Sequence, residues 1–151
     1  MAKGFIDAKL VGDVELDLSK FEQVIKDKVL FSGAATMASV LANEARHLAP
    51  TSTEEHYFYG SSFRKTGQKY LFQPGNLKRS IYWAHAAKQS TDDRKTYRIS
   101  WNRTKAPYGY MVEFGTSRAS AHPFLRPAFG RVNEAIAQGQ ARMAQRLKEV
   151  T

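Results

Sequence analysis

Along residues 8 to 18 the chain ends in an alternation: Val14, Leu16 and Leu18 fall on one side, Asp13, Glu15 and Asp17 on the other. A period of two with one acidic face predicts a half-exposed strand at a sheet edge. Ser19-Lys20-Phe21-Glu22 then has the S-x-x-E form of a capping box and predicts a helix beginning there. Leu30, Ala34, Met37, Leu41, Ala45 and Leu48 recur at threes and fours, one buried stripe of a long helix. Gly33 costs about 1 kcal/mol relative to Ala inside a helix, so a division or bend is expected there. Pro50 ends the helix, because the residue before a proline avoids helical torsions.

From 51 to 76 the helical period vanishes. Gly, Pro, Ser and Thr punctuate a run of Tyr57, Phe58, Tyr59, Phe63, Tyr70 and Phe72. Disordered segments are poor in aromatics, so this stretch is expected to be a long loop or hairpin that orders against a neighbouring subunit. Ile81 and Trp83 alternate with Tyr82 and Ala84, and Tyr97, Ile99 and Trp101 with Arg98, Ser100 and Asn102. With the polar run from Lys88 to Lys95 as the turn, these form an antiparallel pair, and Trp83, Tyr97 and Trp101 are expected in the core. Pro107 to Phe114 predicts a short helix stopped by Gly115. A final helix starts near Pro123 or Pro127, with Leu125, Phe129, Val132, Ile136, Met143 and Leu147 as its buried stripe. The pattern amounts to one α+β domain over residues 1–151: a long N-terminal helix and a C-terminal helix packed on a small antiparallel β-sheet.

Charge adds a location. The formal net charge is +9, yet residues 61 to 105 hold 11 Lys and Arg against only Asp92 and Asp93, which leaves the rest of the chain balanced. Such a localised field attracts nucleic acid or an acidic partner. The absence of cysteine excludes disulfides, thiolate zinc sites and a cysteine nucleophile. No apolar run approaches the ~20 residues of a membrane span, and no signal peptide is visible, so a soluble protein made in the cytoplasm is expected. His47, His56, His85 and His122 are scattered without metal-ligand spacing, so neither a metal nor a cofactor is expected. No nucleophile elbow, phosphate loop or acid pair appears. Glu113, between Val112 and Phe114, could hold a shifted carboxylate; near Arg118 or His122 it is expected to form a structural ion pair. Catalysis is therefore not expected. Arg64, Lys65, Lys69, Lys78, Arg79, Arg98, Arg103 and Lys105 interleave with aromatics, a pattern suited to phosphates and stacked bases.

Tyr108-Gly-Tyr-Met-Val-Glu-Phe-Gly-Thr116, followed by Ala121-His-Pro-Phe-Leu-Arg-Pro-Ala128, strongly resembles the head–tail joining proteins of siphophages, the tail-completion or neck proteins of the lambdoid kind. Ala49-Pro50-Thr51 and Gly75-Asn76-Leu77-Lys78-Arg79-Ser80-Ile81 extend the resemblance toward the N-terminus, with lysine at the usual arginine place. The departure is an insertion of about 52–74 between halves that the family keeps adjacent. The resemblance implies a non-enzymatic virion protein that completes the tail and joins it to the DNA-filled head. Copies would form a ring in the neck, a hexamer, made in the host cytoplasm and carried in the virion. Its partners would be the head-closure protein and the tail terminator, with non-specific contact to packaged DNA and none to membrane. Tyr108, Glu113, Phe114, Gly115, His122, Phe124 and Arg126 are then the expected subunit-contact and motif residues. Arg64, Lys65, Lys69, Lys78 and Arg79 would face DNA or an acidic neighbour. The alternatives are a tail terminator or minor tail protein and, in another class, a non-specific nucleic-acid-binding protein.

Overall fold

The computed structural model describes residues 19–150. The edge strand expected over 8–18 lies outside them. Helix α1 spans residues 19–48, and Ser19 is itself already helical. Between Ile25 and Leu30 the backbone is wound as a π-helix, after which Phe31–Leu48 continues as a regular α-helix. Gly33 therefore neither divides nor ends α1. The helix closes at Ala49, whose extended torsions leave Pro50 outside it.

The expected hairpin in the 51–76 stretch is present. Strand β1 (His56–Phe58) pairs antiparallel with β2 (Tyr70–Phe72), with His56 opposite Phe72 and Phe58 opposite Tyr70. A single helical turn, α2 (Phe63–Thr66), sits at its tip. A short helix α3 (Asn76–Ser80) leads directly into β3 (Ile81–His85), which pairs antiparallel with β4 (Tyr97–Trp101) in the register Ile81 to Trp101 and His85 to Tyr97. Helix α4 (Gly109–Phe114) follows, and α5 runs from Leu125–Ala128 through a 3-10 turn, Phe129–Arg131, into Val132–Val150. The architecture is α+β: two long helices with two small two-stranded antiparallel sheets.

The core forms where α1, α3, β3, β4 and α5 meet. Ala45, Ala49, Leu77, Ile81, Trp101, Ala106, Phe124 and Ala128 make one buried cluster. Arg46 on α1 donates from Nε and Nη2 to the Ile81 carbonyl at 3.3 and 2.9 Å, satisfying that backbone group where α3 passes into β3. Of the expected core aromatics, Trp101 is buried and Tyr97 half-buried, whereas Trp83, on the same face of the β3–β4 ribbon but farther from the core, is exposed.

The expected α1 stripe packs inward except at Leu48, whereas the large residues expected to be buried on α5 are mostly exposed. On α1 the buried positions are Val29, Gly33, Ala38, Leu41, Ala42 and Ala45, while Leu48 is exposed. On α5 they are Ala128, Ala135 and Gly139, while Phe129, Val132 and Ile136 are exposed. Small residues face each other because the two helix backbones approach closely. Met143 of α5 fills the notch over Gly33, and Met37 of α1 fills the notch over Gly139; a Cβ at Gly139 would stand 3.0 Å from the Gly33 carbonyl oxygen. An ion pair between Arg131 and Glu44 (3.0 Å) ties the same helices at the surface.

Gly139→Leu is therefore expected to destabilise the fold. Overpacking costs typically 1–3 kcal/mol and here meets backbone as well as Met37, which exceeds the gain of up to about 1 kcal/mol in helix propensity. Urea unfolding of Gly139→Leu should show a net loss of about 1–2 kcal/mol. Gly130→Ala, at a glycine whose Cβ would meet open space, should be neutral or slightly stabilising. Equal midpoints for the two variants would contradict this packing.

Candidate functional site

The two sequence boxes fold into one junction. Val112 to Thr116 closes α4, and residues 121–126 open α5 beside it. Gly115 makes the turn possible: its φ of 76° and ψ of 177° suit glycine, and its N–H donates to the Met111 carbonyl at 2.8 Å. A Cβ there would meet the Ala121 nitrogen at 2.8 Å, so the returning chain passes directly over it. The loop between is pinned by Thr116, whose N–H donates to the Ala119 carbonyl while its Oγ1 accepts from the N–H groups of Arg118 and Ala119. His122 then donates its backbone N–H to the Val112 carbonyl at 2.8 Å.

Glu113 holds the junction together. Its Oε2 accepts from the backbone N–H of Phe124 at 2.8 Å and of Leu125 at 3.0 Å. Oε1 accepts from the Arg126 N–H at 3.1 Å and from its Nε at 3.0 Å, while Arg126 Nη2 donates to the Glu113 carbonyl oxygen at 2.9 Å. The first turn of a helix carries N–H groups without intrahelical partners and the positive end of the helix dipole. A carboxylate satisfies both. Burial pushes the Glu113 carboxyl up, but the N–H groups of Leu125, Phe124 and Arg126 and the Arg126 guanidinium outweigh it and hold the group below the ordinary Glu value. The ion-pair partner is thus Arg126, not Arg118 or His122.

Two of the residues expected to contact a neighbouring subunit lie inside the chain. Glu113 is 1% exposed and Phe124 is fully buried, with its ring edge-on to Trp101 at 5.7 Å. Tyr108 is half-buried, accepts a hydrogen bond from Asn76 Nδ2 at 3.1 Å, and carries the rings of His56 and Phe72 at 5.1 and 5.0 Å. The inserted hairpin therefore packs on its own chain through Tyr108, an in-chain use of aromatics expected to await a neighbour. Asn76, which also donates to the Lys105 carbonyl, is a linker that no local pattern announces, since both of its partners lie about thirty residues away.

Phe114, His122 and Arg126 remain accessible. Phe114 is 50% exposed, pairs with Tyr110 at 4.7 Å, and lies under the Arg126 guanidinium at 4.8 Å. Arg126, Phe129, Val132 and Ile136 follow at threes and fours along one face of α5. An exposed apolar band thus runs from Tyr110 and Phe114 across Arg126 to Ile136. Bands of this kind on a folded protein mark contact surfaces.

The expected DNA-facing residues divide between two elements. Arg64 and Lys65 lie on α2 at the hairpin tip, and Lys69 precedes β2, its ammonium 4.3 Å from the Tyr57 ring centroid. Lys78 and Arg79 lie on α3, where Arg79 Nη1 donates to the Pro74 carbonyl. Among the described residues no cluster of His, Cys, Asp and Glu could hold a metal ion, and no helix is long and apolar enough to cross a membrane. Ser52 Oγ, in the exposed segment before β1, stands 3.5 Å from Nδ1 of His56 at the start of β1, and the imidazole packs against Tyr108.

No protein-family model, curated protein or solved structure matches the chain.

Proposed function

We propose that copies of this chain assemble as a ring that completes the tail of a long-tailed bacteriophage and joins it to the DNA-filled head, without catalysis. The observation that carries the proposal is the junction: the two boxes on which the siphophage resemblance rests meet through Glu113. Around that buried clamp an apolar band from Tyr110 and Phe114 to Ile136 faces outward. The polar chemistry of the junction serves geometry, since the carboxylate's acceptor positions are occupied by the start of α5 and by Arg126. A neighbouring subunit would cover the band, as symmetric assemblies require of a complementary surface. Phe114, His122 and Arg126 are the proposed contact residues.

Deletion of the gene from its phage should leave filled heads and finished tails as separate particles in electron micrographs. Normal infectious particles from the deletion would sink the proposal. Density for the chain at another station of an intact particle would move it to a tail terminator or minor tail protein.

A further inference from the structure

We propose that the cleft between the inserted hairpin and α4 binds single-stranded nucleic acid by stacking a base against its aromatic wall. The cleft encloses about 560 Å³, room for a nucleotide. Phe58, Tyr70 and Phe72 form one side, Pro107 and Met111 the other. Tyr70 and Phe72 lie two residues apart on β2 and present nearly parallel rings, 18° between planes with centroids 6.5 Å apart. Parallel flat faces suit a base, whichever its identity, because every base offers a π-face.

The electrostatics agree. Arg103 is the one charged residue lining the cleft, and no ion pair neutralises it among the described residues. Beyond its rim the hairpin tip carries Arg64 and Lys65, and from residue 56 to 91 the sequence contains no Asp or Glu. Ser61, Ser62 and Thr104, which carry hydroxyl groups, also line the cleft. Charge alone would equally suit an acidic peptide; the aromatic wall is what favours a base. The proposal stands apart from the joining role, since it concerns what the purified chain binds.

Fluorescence anisotropy of the full chain tests it, with a labelled thymidine dodecamer and an abasic deoxyribose-phosphate chain of equal length. The thymidine strand should bind at least about fivefold tighter, the fold-change equivalent of one stacked base. Tyr70→Ala should erase that advantage, with circular dichroism confirming the fold. Met111→Glu, on the exposed opposite wall, should do the same if the hairpin variant fails to fold. Arg103→Glu should weaken both strands and flatten the salt dependence. Equal affinity for the two strands would overturn base stacking. Displacement by polyglutamate as readily as by thymidine strand would assign the cleft to an acidic protein, and absence of binding would overturn the proposal altogether.

Discussion

Glu113→Ala is expected to lower the unfolding free energy by about 3–5 kcal/mol, the cost of breaking a buried charged network by removing one partner. The substitution leaves the N–H groups of Phe124, Leu125 and Arg126 without their acceptor, the first of them buried and the other two part-buried. Arg126→Ala should cost much less. Its side chain is 59% exposed, and the ion pair it forms is screened, so about 1 kcal/mol is expected. Comparing the two by urea unfolding separates the helix cap from the salt bridge. Equal losses would show that the ion pair, not the backbone bonding, dominates.

The same carboxylate makes stability depend on pH. Its folded value lies below the ordinary 4.5, so its contribution is fully present above that value. As pH falls from there through the lower folded value, the contribution is lost. Glu113→Gln keeps the shape, gives up the charge and one acceptor, and removes the titration. Wild type should therefore be the more stable at neutral pH, and the gap should close as the solution is acidified below the Glu range. A gap that persists unchanged in acid would contradict the assigned role.

Phe124→Ala should be of similar size for a different reason. The ring is fully buried, edge-on to Trp101 in the core cluster, and Phe-to-Ala changes in such places cost about 3–5 kcal/mol in lost transfer energy and residual cavity. The backbone N–H of residue 124 still reaches Glu113, so the cap survives in principle. Trp101 reports the change: loss of its edge-on neighbour should shift its fluorescence toward that of a wetter indole, whereas Trp83 is already exposed. Against a typical domain stability of 5–15 kcal/mol, either substitution removes a large share. The double variant should lose less than the sum, since residues in one junction do not act independently.

Much of the local structure was legible from spacing. The β3–β4 pair follows from two alternating runs around a polar turn, and the end of α4 from Gly115, the residue able to hold φ near 76° after a helix. The aromatic content of 51–76 signalled order, and the hairpin is there. Its packing partner was not legible, because Tyr108 lies more than thirty residues beyond it and no local pattern announces that contact.

The stripe expected on α1 is largely the packed one, with Leu41 and Ala45 buried and Leu48 alone exposed, whereas the face of α5 differs for one physical reason. A hydrophobic stripe is weighed by large side chains, which placed Phe129, Val132 and Ile136 inside α5. Close helix approach instead selects the smallest residues, Gly33 and Ala42 on one side and Ala135 and Gly139 on the other, and these carry little hydropathy signal. The large residues were thereby left on the outside.

By themselves, the residues determined the elements, the basic middle third and the two boxes that carry the phage resemblance, since each depends on neighbours in sequence. Only the tertiary structure decided that Glu113 caps α5, that Phe124 is core and that Phe114 and Ile136 face outward. Those outcomes depend on which segments meet in space, and a carboxylate eleven residues from the helix it caps has no local signature of that partner.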